Sequence, residues 1–137
     1  MGNILSRQIN RINFIDMQKF INNNNNLIIN TLLENNQTCL INNTITANQE
    51  VEIINKYINS NKNVNIIIYG ENSCDDKLVK KYVQLQQLGF INIYIYMGGL
   101  FEWLLLQQIY GENEFPTTSV VHDILKYKGN SIMFKNN

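Results

Sequence analysis

The sequence predicts an α/β domain of three layers, with helices on both faces of a mainly parallel central sheet. Two observations carry that expectation. Strand-like runs alternate with helical stretches of 10–15 residues, the pattern of strand–helix–strand crossovers. The clearest strand-like runs, Asn65–Tyr69 and Ile91–Tyr96, are apolar or aromatic at successive positions, as suits strands covered on both sides. The chain has 137 residues, 45% of them hydrophobic and 16% charged, enough for one domain with its own core.

Each element has a local reason. Phe14, Met17, Phe20 and Ile21 are spaced for one face of a short helix, which the tract Asn22–Asn26 ends. Leu27–Thr31 is predicted as a buried strand and Cys39–Ile41 as a second, shorter one. From Asn48 a helix is expected, with Val51, Ile54, Tyr57 and Ile58 inward and Glu50, Glu52 and Lys56 outward; Asn59–Asn63 breaks it. The strand Asn65–Tyr69 runs into a loop, Gly70–Cys74. Asp75–Leu88 then reads as an amphipathic helix with Leu78, Tyr82, Leu85 and Leu88 on one stripe. Gly89 suits the left-handed residue that closes a helix. After the strand Ile91–Tyr96, Gly98–Gly99 predicts a tight turn that lets the backbone approach a neighbouring loop. Leu100–Ile109 is apolar almost all round, a helix wedged into the core, with Trp103 as its anchor. Gly111–Thr118 is expected to be a surface loop, and the rest a short tail with weak helical promise.

Composition excludes several function classes. Eleven basic residues balance eleven acidic ones, so no nucleic-acid-binding surface is advertised. Two cysteines cannot make a disulfide framework, and with one histidine they cannot complete a four-ligand Cys/His zinc site. No metal and no cofactor is indicated. No apolar run approaches the roughly 18–20 residues of a spanning helix, and no secretory signal opens the sequence, so an intracellular, cytoplasmic location is expected. The chain holds 25 Asn and 21 Ile but a single Ala (Ala47) and a single Pro (Pro116). Folding does not require that bias, since Asn is a poor helix former. Coding by an AT-rich genome accounts for it, pointing to a protist or a virus of a eukaryotic host.

Four pieces, in order and at matching spacing, resemble a rhodanese-like domain. They are the strand Ile66-Ile67-Ile68-Tyr69 running into a short loop and helix, then Leu88-Gly89-Phe90, then Asn92-Ile93-Tyr94-Ile95-Tyr96, and last Gly98-Gly99-Leu100-Phe101-Glu102-Trp103. The resemblance is clearest over residues 63–103. It suggests a domain over residues 12–110, preceded by a segment 1–11 and followed by a loop and tail, 111–137. Before residue 63 the match is poor: Asn30-Thr31-Leu32 stands where the family has Asp-x-Arg after the first strand, and no Gly-His-Ile appears near Cys39–Ile45.

The resemblance implies that chemistry would reside in the loop Gly70-Glu71-Asn72-Ser73-Cys74-Asp75. In rhodaneses a cysteine directly after the strand carries a persulfide, whose anion is stabilised by backbone N–H groups and a helix N-terminus. The matching position here is Gly70, which has no side chain to attack with. Glu71, Asp75 and Asp76 place carboxylates where the family gathers anions, and like charges at ~4 Å repel by about 1 kcal/mol even in water. Ser73-Cys74-Asp75-Asp76 also fits a capping box, with Ser73 as N-cap and Cys74 at the first helical position. The resemblance therefore implies a non-catalytic module that binds or scaffolds a protein partner. The alternative is a divergent sulfurtransferase or thiol-redox protein using Cys74, near a helix start and beside two aspartates. A part of a larger assembly is a third reading. Phosphatase chemistry through a Cys-x₅-Arg loop is the poorest candidate, since Gly70 stands for the cysteine and the loop ends in aspartates. Cys39 is expected as a buried hydrophobe and His122 as a solvated side chain.

Met1-Gly2-Asn3-Ile4-Leu5-Ser6 fits the N-myristoylation pattern, with Gly2 as the acceptor. One such chain binds membranes only marginally, with K around 10⁴ M⁻¹, and Arg7 and Arg11 fall short of a polybasic patch. Any tether through Gly2 would be weak and reversible.

Overall fold

The computed structural model describes residues 9–133. Among the described residues the strands are β1 (Arg11–Ile12), β2 (Leu27–Asn30), β3 (Ile66–Tyr69) and β4 (Ile93–Tyr96). The α-helices among them are α1 (Phe14–Ile21), α2 (Ala47–Ser60), α3 (Lys77–Gln87) and α4 (Gly99–Tyr110). The strands form one parallel sheet in the order β1-β4-β3-β2, with Ile67 opposite Ile28 on one side and Tyr94 on the other. All-parallel sheets are buried on both faces because each crossover lays a helix on the sheet.

Side-chain alternation divides the interior in two. Ile28, Ile67, Tyr69 and Tyr96 point to the face covered by α1 and α4, where they meet Met17, Ile21, Leu100, Trp103 and Leu104. Ile29, Ile66, Ile68, Ile93 and Ile95 point to the face covered by α2 and α3, against Ile54, Leu78, Tyr82 and Leu85. This is the three-layer α/β/α arrangement expected from the sequence. Lys81 of α3 and Glu50 of α2 add an ion pair at 2.6 Å between the two helices of the second face.

Several local expectations give way. Cys39–Ile41 is not a strand: Ile41 makes a single antiparallel bridge to Thr117, and Leu40 bonds Thr118 through main chain and side chain. The backbone N–H of Ile41 goes to the Tyr69 hydroxyl, so the segment is fixed to the core by loop and side-chain partners. Val51 is 70% exposed, because α2 turns Ile53, Ile54, Tyr57 and Ile58 to the sheet and leaves Val51 outside that stripe. Leu88, at the C-cap of α3, is likewise exposed. The loop after Gly111 is not wholly superficial. Phe115 is buried against Trp103, and the tail forms a 3₁₀ turn at Ile124–Tyr127 that buries Tyr127 in the α1/α4 cluster. β1 is an element the sequence analysis lacks; two residues are too few to show alternation.

Candidate functional site

The C-terminal ends of β2, β3 and β4 lie side by side, and the loops leaving them meet at one edge of the sheet. In open parallel sheets this edge is where ligand sites form. Residue 70 leaves the end of β3, Thr31 follows β2, and Gly98–Gly99 joins β4 to α4.

The loop's backbone is tied to α4. Leu100 N–H donates to the Gly70 carbonyl at 2.9 Å and Phe101 N–H to the Glu71 carbonyl at 2.8 Å. Those donors belong to the first turn of α4, so the chain's own oxygens occupy a helix end that could otherwise receive an anion. Gly99 makes the approach possible. Its φ is +70°, and a β-carbon there would lie 2.7 Å from the Gly70 carbonyl oxygen and 2.9 Å from Asn72 N. The glycine pair thus does what its sequence suggests.

The start of α3 is occupied in the same way. Asp75 Oδ1 accepts from Lys77 N–H at 2.9 Å, and Asp75 Oδ2 accepts from the Thr31 hydroxyl at 2.7 Å. The Asp75 side chain is only 4% exposed, with Lys77 Nζ 3.5 Å from Oδ1. The Ser73 capping box is absent. Helix α3 begins at Lys77 rather than Asp75, and Cys74 sits in the turn before it. Asp75, drawn across to Thr31 from a position 44 residues away, takes up the helix donor instead.

The carboxylate of Asp75 also lies over Gly70. A β-carbon on residue 70 would fall 2.8 Å from Asp75 Cγ and 2.9 Å from its Cβ, and would overlap Oδ2. The space that a side chain at this position would fill therefore holds a negatively charged group. The other acidic residues have separate outlets: Glu71 Oε2 accepts from Asn36 Nδ2 at 2.9 Å, and Asp76 is exposed.

Asn72 connects the loop to its surroundings. Its Oδ1 accepts from Cys74 N–H and its Nδ2 donates to the Tyr127 carbonyl, each at 2.8 Å. Cys74 is exposed, and its sulfur faces Gly129, where a β-carbon would come within 3.2 Å. Among the described residues no loop N–H is hydrogen-bonded to that sulfur. It opens on a cleft of about 470 Å³ with Leu33, Asp76, Lys77, Lys126 and Lys128 among its walls. Ser73 is exposed and lends the loop no side-chain hydrogen bond among the described residues. Cys39 is fully buried, its thiol directed to the Ser119 carbonyl, and His122 is exposed. Gly2 lies outside the described residues. Among the described residues no group of three His, Cys, Asp or Glu could hold a metal ion, and no helix is long and apolar enough to cross a membrane.

Two buried tyrosines brace the site from below. Tyr69, the residue before Gly70, binds Ile41 N–H and the Thr44 hydroxyl. Burial pushes its phenol well above the usual tyrosine range, and those two bonds only partly oppose the shift. Tyr96 donates to Glu102 Oε1 at 2.6 Å; burial and then that carboxylate raise its phenol too. Both remain protonated donors at neutral pH.

A parallel α/β/α sheet, a loop leaving its central β3, and a glycine pair pressed against that loop define a class of domain. The chain belongs to the rhodanese-like domain family: the family model matches residues 17–106. Solved structures share the fold. The crystal structure of an Anabaena protein matches with a TM-score of 0.55 at 18% identity, over 84% of this chain and 97% of that one. The solution structure of a rhodanese-like domain from Anabaena gives 0.54 at 18% identity, over 82% and 81%. A yeast protein tyrosine phosphatase of the rhodanese family gives 0.56 at 13% identity, over 87% and 99%. No curated protein matches the sequence.

Proposed function

We propose that the protein is a non-catalytic rhodanese-like module that engages a protein partner at the mouth of the loop 70–76. The observation that carries this reading is the Asp75 carboxylate, buried over Gly70 and bonded to Thr31 and Lys77. A sulfur-transfer site needs a nucleophile at that position and open N–H groups for an anion. Here the nucleophile is absent, and the donors at the start of α3 and α4 are engaged by the chain's own oxygens. What remains is a surface: half-exposed Leu33 in a cleft bordered by acidic and basic side chains, an apolar spot with a polar rim.

Incubation with thiosulfate and cyanide is expected to yield no more thiocyanate than a variant lacking both cysteines. Gly70→Cys alone should stay inactive and lose stability by about 1–3 kcal/mol, because its side chain must displace Asp75 from two hydrogen bonds. Thiocyanate from the unmodified chain, well above the control, overturns the reading.

The exposure of Cys74 on the cleft supports a second reading, thiol chemistry at that residue. On the preferred reading iodoacetamide alkylates Cys74 no faster than a free peptide thiol. Alkylation at least tenfold faster, together with a thiocyanate yield abolished by Cys74→Ser, would favour the second.

A further inference from the structure

We propose that Asp123–Asn130 is a latch over the candidate loop, able to open while the sheet and helices stay folded. The segment crosses the loop's mouth, supplying Lys126, Lys128, Gly129 and Asn130 to the cleft wall and setting Gly129 against Cys74. Its attachment is the 3₁₀ turn, which packs on α4. Tyr127 is its only fully buried side chain, Ile124 is partly buried, and Leu125 is 60% exposed. Among the described residues its one hydrogen bond to the rest of the domain comes from Asn72, to the Tyr127 carbonyl. The remaining bonds are internal, Lys126 N–H to Asp123 and Lys128 N–H to Leu125.

The anchor is itself imperfect. Among the described residues the Tyr127 hydroxyl is buried with no partner that meets hydrogen-bond geometry, although the Thr38 side chain lies close enough to bond it weakly. When the latch lifts, that hydroxyl regains water, so its burial favours the open form. Segments held by one buried side chain and one external hydrogen bond belong to the low-stability end of a fold and open locally. Opening also removes the bond that orients Asn72, whose other end holds Cys74 N–H. The latch and the loop are therefore coupled through one amide side chain. The coupling runs through Tyr127 and Asn72 and holds whether or not the loop is catalytic.

Native-state amide hydrogen exchange of the full chain tests it. The Lys126 and Lys128 amides are expected to exchange at least 100-fold faster than those of Ile67 and Ile68 in β3. Tyr127→Phe removes the buried hydroxyl and keeps the ring, so it should slow the Lys126, Lys128 and Cys74 amides together by about tenfold. Tyr127→Ala should speed them; should that variant not fold, the phenylalanine variant and the wild type decide. Exchange of the latch in step with β3 overturns the proposal. So does a Tyr127→Phe variant whose latch amides exchange as fast as before, or whose Cys74 amide does not follow them.

Discussion

Trp103→Ala is expected to lower stability by about 3–5 kcal/mol, the range for emptying a large aromatic from a packed core. Trp103 is fully buried on the inner face of α4. Its ring meets Tyr96 edge-on at 5.9 Å and Phe115 at 5.0 Å between centroids. Its Nε1–H donates to the Pro116 carbonyl at 3.1 Å. Alanine leaves a cavity among β4, α4 and the segment after Gly111, and takes one of two donors from that carbonyl, which keeps Asn42 N–H. A domain of ordinary size has roughly 5–15 kcal/mol in all, so the loss is a large fraction of the whole. Trp103 is the chain's one tryptophan, so urea unfolding is best followed by far-UV circular dichroism. The expected result is a midpoint shift at nearly constant slope. Trp103→Phe should recover a good part of the loss, since it refills much of the volume but not the hydrogen bond. A Trp103→Ala variant within about 1 kcal/mol of the wild type would show that α4 is not wedged into the core as described.

Gly99→Ala is expected to cost about 2–4 kcal/mol, and its effect should concentrate at the loop. Two terms combine. An L residue at φ +70° is strained, and the new methyl would press on the backbone of Gly70 and Asn72, which cannot rotate away as a side chain can. Gly89→Ala is the internal comparison. Its φ of +102° carries strain as well, but the nearest atoms belong to the flexible Lys62 side chain. The difference in urea midpoint between the two variants therefore isolates the close approach of α4 to the loop. Equal losses would mean that backbone conformation alone matters at Gly99. A larger loss in Gly99→Ala, with faster exchange of the Leu100 and Phe101 amides, would show that the glycine holds the loop's carbonyls on the helix.

Much of the framework was legible because it is periodic or local. The unbroken apolar and aromatic runs Ile66–Tyr69 and Ile93–Tyr96 report two covered faces, since successive side chains of a strand point to opposite sides of the sheet. The uninterrupted apolar run of α4 reports a helix in the core, and Gly98–Gly99 reports a close backbone approach. The misread places share a different cause. Ser73-x-x-Asp76 matches a capping box that would make Cys74 the first helical residue, yet the helix starts at Lys77, because Asp75 finds Thr31 and Lys77 N–H together. Cys39–Ile41 looks like a strand, but its backbone partners are a tyrosine hydroxyl and the chain near Thr118. Tyr127 lies in a stretch with no periodic pattern, and nothing adjacent to it marks it as an anchor.

By itself the sequence determined the α/β class, the helix–strand order from α2 to α4, and the glycine that directly follows β3. Only the tertiary structure decided what fills the space above that glycine. The contacts responsible, Thr31 to Asp75 and Asn72 to Tyr127, join residues 44 and 55 positions apart. Local propensity and periodicity act over a turn or a strand; a carboxylate bonds its own helix and a hydroxyl beyond another strand together only once the sheet has brought both within reach.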